Sequence, residues 1–270
     1  MASIKKILGS CPWLYKVLAA GYRHTVAPIR SGHMQHYICF LLRVYRKERA
    51  KLKTYGLEAA VPYDYRSWRI GKGKDGAVRR YYMAKYRGEK CFVKIGIQDA
   101  TVANEQYILS ALEGEAFSFS PRYIVGDGSF GQGAAMLAVA YIEDLAPFAI
   151  PKKPEDMENI CHQFNEILDA LARNRAVHAD VHKGNLMLAK DKLYLLDYGI
   201  SMIKGLPNHV DYVARPGTFY ITGDTGRIYD DAYSFVQMLA HMGIEESMTN
   251  GTEYRRIAER IGENTLEIQC

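Results

Sequence analysis

The sequence predicts an α+β fold in which an antiparallel sheet of five strands with one helix precedes a small, mainly helical region. Three observations carry that reading. Between positions 65 and 95 the short runs YDYRSWRI, AVRRYYMAKY and CFVKI are separated by turn-rich GKGKDG and RGEK, the texture of strands joined by tight turns. TVANEQYILSALEG then places Val102, Tyr107, Ile108, Leu109 and Leu112 at helical spacing, and RYIVGDGSF and AAMLAVAYI complete the five strands. After Pro154 the period turns helical: Met157, Ile160, Phe164, Ile167, Leu168 and Leu171 line one side of a helix ending near Arg175. Two short strands follow in NLMLA and KLYLLD, and helices are expected over about 229–241 and 252–261.

A chain of 270 residues, 48% apolar and 24% charged, can bury a real core, which excludes disorder of the whole. Its five cysteines are scattered and form no CxxC pair, so a reducing compartment is expected, with the thiols as small core hydrophobes. The net charge of +5 is unevenly spread. Residues 1–56 set eleven Lys and Arg against Glu48 alone, whereas the rest of the chain is mildly acidic. Within that basic extension Met34, Tyr37, Ile38, Leu41, Leu42 and Tyr45 share one helical face, followed by Arg46, Lys47, Arg49, Lys51 and Lys53. Such a helix is either a solvated basic face or a peripheral contact with an anionic membrane; nucleic acid is not expected, because aromatics interleave the apolar side. Pro12 and Lys16 interrupt the first apolar stretch, so no cleaved signal is expected, and no apolar run approaches the roughly 20 residues that span a bilayer.

The chemistry-bearing residues come in order. Gly71, Gly73 and Gly76 followed by Val78 spell GxGxxGxV, glycines that let backbone N–H groups approach phosphates. Lys94 sits in the apolar strand CFVKI, where a buried ammonium needs an anionic partner. Glu105 on the following helix is the best-placed carboxylate, with Glu113 and Glu115 as rivals. HADVHKGN then supplies Asp180, able to accept a hydroxyl proton, and Asn185, and the next hairpin ends on Asp197 in LLDYG. Asn185 and Asp197 offer oxygen ligands of the kind that hold Mg²⁺ beside phosphates. His178 and His182 lack the further His or Cys ligands of a transition-metal site.

From about 65 to 245 the chain resembles the protein-kinase-like superfamily, with GxGxxGxV, VK, a helix glutamate, HxDxxxxN and DYG in family order. PGTFY resembles part of a protein-kinase activation segment, and DAYSF resembles a helix start whose aspartate, Asp231, buttresses the catalytic loop. The resemblance implies a bilobal fold: a basic extension over 1–56, an N-lobe over 57–150 and a short C-lobe over 151–270. It also implies ATP and Mg²⁺ as cofactors, with the adenine edge near Tyr141 and Ile142. The sequence departs from protein kinases at Ala179, where arginine is common, at Tyr198 in place of phenylalanine, and at His182, where the family's lysine stands. HADVHKGN is closer to the HGDxHxGN style of bacterial small-molecule and lipopolysaccharide-core kinases.

The resemblance therefore implies transfer of the γ-phosphoryl group of Mg·ATP to a hydroxyl, favouring a sugar of a bacterial cell-envelope glycan. A protein serine/threonine kinase is the alternative, on PGTFY and DAYSF, and a catalytically inactive scaffold is disfavoured because Lys94, Asp180, Asn185 and Asp197 are all retained. The expected location is cytoplasmic, at the inner face of the membrane if the basic extension binds it.

Overall fold

The structure, a computed structural model, describes residues 38–63, 76–112, 118–131, 133–151, 153–206, 218–224, 226–244 and 251–269. The chain divides into two units, Met1–Glu89 and Lys90–Cys270. In the first unit a wide helical turn over Leu41–Tyr45 runs into α1 (Arg46–Thr54). The chain then reverses, with the backbone N–H groups of Tyr55 and Gly56 donating to Leu52 and Lys53, and enters β1 (Leu57–Pro62). That strand pairs antiparallel with β2 (Val78–Tyr86), from Leu57 opposite Tyr86 to Pro62 opposite Tyr82. Phe40, Leu52, Leu57, Ala60 and Tyr82 are buried here.

Two expectations shift in this unit. The strand that precedes β2 is Leu57–Pro62, upstream of YDYRSWRI, most of which lies outside the described residues together with Gly71 and Gly73. The basic helix is present, but Phe40 and Leu52 are buried, whereas Ile38 and Leu42 are 48% and 79% exposed. A wide turn inserts an extra residue into the helical repeat, so a face read at 3.6 residues per turn falls out of phase across Leu41–Tyr45. Met34 and Tyr37, also placed on that face, lie outside the described residues.

Strand β3 (Glu89–Ile97) starts on the last residue of the first unit and belongs otherwise to the second, which continues with α2 (Ala100–Leu112), β4 (Tyr123–Gly131) and β5 (Ala134–Ala140). Antiparallel pairing orders these as β3-β5-β4, so five strands in antiparallel pairing are found across the two units. Gly96 makes the approach of α2 to β3 possible: a Cβ there would lie 2.7 Å from the side chain of Val102. The strands β6 (Ala146–Pro147), β7 (Ala176–Val177), β8 (Leu186–Ala189), β9 (Lys192–Leu195) and β10 (Met202–Ile203) surround α3 (Pro154–Arg173) in the chain. Helix α3 starts with proline at its first turn and acids at Glu155 and Asp156, as the helix dipole favours, and buries the expected face from Met157 to Leu171. Phe164 on that face stacks on Phe235 at 3.8 Å between ring centres.

Beyond it come β11 (Ile221–Thr222), β12 (Gly226–Asp230), α4 (Asp231–His241), α5 (Thr252–Glu259) and β13 (Thr265–Gln269). Helix α4 begins at 231 rather than 229 because Asp230 caps it, its side chain accepting from the Tyr233 N–H at 2.8 Å. The terminal strand β13 was not expected; it pairs antiparallel with β12 from Gly226 opposite Gln269 to Asp230 opposite Thr265. Among the described residues no helix is long and apolar enough to cross a membrane.

Candidate active site

The charged residues of β3 and α2 meet as the sequence order suggests they could. Lys94 points from β3 toward the helix, and its Nζ donates to both carboxylate oxygens of Glu105, at 2.9 and 2.7 Å. A longer contact of 3.4 Å ties the same ammonium to Asp197 Oδ1. Burial raises the pKa of Glu105, Lys94 opposes that rise, and the neighbouring Asp197 charge adds to it. Exposure falls off in the same direction: the Asp197 side chain is 47% exposed, Lys94 20% and Glu105 6%. The rivals Glu113 and Glu115 lie outside the described residues.

The segment 178–185 is held from below by the first residue of α4. The two carboxylate oxygens of Asp231 accept the backbone N–H groups of His178 and Ala179, at 2.7 and 2.9 Å. Burial pushes the pKa of Asp231 up to about 7 against the pull of those two N–H groups. Ala179 can then take its left-handed backbone, φ 64, a conformation that costs a residue with a Cβ and needs such support. His178 is fully buried with both ring nitrogens engaged: Nδ1 accepts from the Asp180 N–H at 3.3 Å and Nε2 faces the Leu196 carbonyl at 3.1 Å. Burial lowers its pKa to about 4, so it is a neutral structural ring, packed edge-on against Tyr198.

Three side chains converge on Asp180. Thr218 Oγ1 donates to Oδ1 at 3.0 Å, Asn185 Nδ2 donates to Oδ2 at 3.2 Å, and His182 Nε2 stands 3.7 Å from Oδ1. The β8–β9 hairpin brings the loop to the metal-type ligands, because the Leu196 N–H donates to the Asn185 carbonyl at 2.8 Å and Asp197 follows directly. Asn185 commits its amide nitrogen to the carbonyl and carboxylate of Asp180, which leaves the amide oxygen for a cation. With the carboxylate of Asp197 this is an all-oxygen donor set, the chemistry a hard divalent ion such as Mg²⁺ accepts.

The remaining candidates are placed as follows. Gly76 takes φ 79 and Val78 begins β2, both in the first unit, while Gly71 and Gly73 are outside the described residues. Tyr141, just past β5, spends its N–H on the Lys90 carbonyl at 3.1 Å, and Ile142 follows it in the connecting segment.

Two further positions were not singled out from sequence. Asn104 is 1% exposed and donates to the carbonyls of Gly199 and Ser201, so α2 grips the stretch that follows Asp197. Asn264, just before β13, donates to the Ala176 carbonyl at 2.7 Å, two residues ahead of His178. An asparagine interrupting the apolar side of a predicted helix was the available signal for the first; the second had none.

No protein-family model matches the chain, and no curated protein matches it. Among solved structures, the kinase PK-1 of Cydia pomonella Granulovirus is similar at a TM-score of 0.44 and 20% identity. That match covers 62% of this chain and 60% of the viral chain, less than two thirds of its length.

Proposed function

We propose that this chain is a phosphotransferase of the protein-kinase-like superfamily, moving the γ-phosphoryl group of Mg·ATP to an alcohol acceptor. The observation that carries the reading is the convergence in one unit of the Lys94–Glu105 pair, Asp197, and an Asp180 carboxylate oriented by Thr218 and Asn185. Phosphoryl transfer asks a protein mainly for positioning and for charge stabilisation, and these groups supply both. Lys94 would hold the α- and β-phosphates; by the family resemblance Gly71, Gly73, Gly76 and Val78 belong to the nucleotide-binding segment. Because the Tyr141 N–H is engaged, the adenine edge would meet the Tyr141 carbonyl and the Ile142 backbone. Asn185 and Asp197 would hold Mg²⁺, which neutralises phosphate charge when bound. In the transfer, the acceptor oxygen bonds to the γ-phosphorus, the bond to the β–γ bridging oxygen breaks, and ADP departs with that electron pair. Asp180 takes the acceptor's proton.

For the acceptor we favour a sugar hydroxyl of a bacterial envelope glycan, on the HADVHKGN pattern, with the basic extension bringing the chain to an anionic membrane. One contact favours a protein acceptor instead: Thr218 on Asp180 at 3.0 Å, since PGTFY is the segment that resembles protein kinases. The test incubates the full chain with γ-labelled ATP, a lipopolysaccharide-core fraction and casein. Label in the glycan alone supports the first reading, and label in Ser or Thr alone supports the second. Absence of any Mg²⁺-dependent turnover of ATP would sink the phosphotransferase itself.

A further inference from the structure

The stretch that delivers Asp180 is held by contacts from separate elements. The Lys204 N–H donates to the Arg175 carbonyl at 2.8 Å, Ser201 Oγ donates to the His178 carbonyl at 3.0 Å, and Asp231 accepts from His178 and Ala179. A further hold comes from Asn264, whose Nδ2 donates to the carbonyl of buried Ala176 at 2.7 Å, from 88 residues along the chain. That amide is itself braced on both sides. Two residues before it, the Gly262 N–H donates to Asp230 Oδ2 at 2.6 Å, while the other oxygen of the same carboxylate caps α4. Two residues after it, Leu266 lies opposite Tyr229 in the β12–β13 pair, and Leu266 and Ile268 pack on the cluster of Val177, Ala179 and Tyr229. Tyr220 packs on that cluster too, two residues beyond the Thr218 that donates to Asp180. The segment 262–268 therefore meets both the strand that leads to Asp180 and the apolar cluster shared by the stretch of Thr218.

We propose that Asn264 is a positioning residue for Asp180, with β13 as its brace; this rests on the phosphotransfer reading above. Its amide fixes the level of β7, and with it the place at which the 178–185 segment presents the Asp180 carboxylate to the acceptor hydroxyl. Strand β7 is only two residues long, and His178 and Ala179 beyond it are tied through their backbone groups. A shift of Ala176 is then passed on to Asp180 instead of being absorbed by slack in the chain. Asn264 acts through the backbone of Ala176, and the proton transfer itself stays with Asp180. Nucleotide affinity is set elsewhere, since Lys94 is held by Glu105 from α2.

The experiment uses the full chain and two variants: Asn264→Ala removes the amide, and Ile268→Ala thins the brace at a partly buried position that the fold tolerates more easily. Turnover is read as hydrolysis of Mg·ATP, water taking the acceptor's place. It is expressed per folded molecule, with the folded fraction taken from circular dichroism and ATP affinity from calorimetry. Each variant is expected to lose about tenfold to hundredfold in kcat, the scale of a misplaced reactant, with ATP affinity unchanged. In an Asp180→Asn background the same substitutions should cost little more, because no base is left to misplace. If Asn264→Ala does not fold, Ile268→Ala carries both comparisons. Wild-type kcat per folded molecule, an ATP affinity that falls in step with kcat, or losses that multiply with that of Asp180→Asn would each overturn the proposal and leave the phosphotransferase standing. A wild type that turns over no Mg·ATP overturns both.

Discussion

Among the described residues two ion pairs join a helix to a strand, one in each unit, and they end differently. Glu48 of α1 binds Arg80 of β2 at 2.6 Å, and Lys94 of β3 binds Glu105 of α2 at 2.7 Å. Burial raises the carboxyl pKa in both, and the cation opposes the rise in both. The first pair is sealed, with side chains 14% and 4% exposed and the Tyr82 hydroxyl donating to the second oxygen of Glu48. Its carboxylate is consumed by contacts within the unit. The second pair runs on to Asp197, whose side chain is nearly half exposed. A perturbed buried carboxylate is thus no site by itself; the discriminating feature is a charged neighbour that reaches solvent. Tyr45 reinforces the sealed joint, donating its hydroxyl to the Ala60 carbonyl at 2.8 Å and stacking on Tyr82.

That contrast can be broken by substitution, beginning in the open site with Asp180→Asn. It should cut turnover by about 10² to 10⁴, the usual contribution of a positioned base, while ATP binding survives. A calorimetric titration in which ATP affinity falls as far as in Lys94→Ala would assign Asp180 a structural role. In the sealed joint, Glu48→Ala leaves Arg80 buried without its carboxylate. Breaking such a pair costs about 3–5 kcal/mol, visible as a lower urea midpoint, whereas kcat per folded molecule should stay as in wild type. A loss of turnover without loss of stability would erase the distinction drawn between the two pairs.

Asp197→Ala should show the opposite profile, with turnover down by about 10² to 10³, the scale seen when one electrostatic stabiliser is removed. The urea midpoint should hardly move, since the group is half exposed. Wild-type turnover in this variant would remove it from the site.

A smaller effect sharpens the account of the loop. Asp231, raised to about 7 from 3.8, keeps a proton in the folded state that the unfolded chain has lost, so its contribution is full below pH 3.8 and disappears as pH rises through 7. His178, lowered to about 4 from 6.5, contributes in the opposite sense, fully above pH 6.5 and disappearing as pH falls through 4. Between those limits the two slopes oppose each other. Asp231→Asn removes one of them, so the stability of that variant should climb with pH from about 4 to 6.5 more steeply than wild type. Urea midpoints across that range that run parallel for both proteins would discard the assignment.

The local elements were legible because their periods are local. The helix of 154–173 declares itself through Met157, Ile160, Phe164, Ile167, Leu168 and Leu171, all buried and spaced along one face, and β2, β3 and β5 through runs bounded by turns. Strand β1 was not legible: an irregularity between Glu58 and Val61, with Ala59 at φ 51, interrupts the alternation that marks a strand. Strand β13 alternates Leu266 and Ile268 over only five residues, too few to declare a strand without the β12 partner that pairs with it.

The same division runs through the candidate site. Composition and order determined that a lysine on a strand, a glutamate on the next helix, and an HxDxxxxN segment followed by DYG lie in one chain. Only the tertiary structure decided that Lys94 reaches Glu105 and Asp197, the latter 103 residues away, and that Asp231 props His178 and Ala179 across more than fifty. Periodicity reports which face of an element is apolar, because that depends on neighbours three or four positions away. Which polar groups meet depends on how those faces pack, on a Gly96 that admits a helix and a Gly184 that admits a ring, and no spacing along the chain encodes that distance.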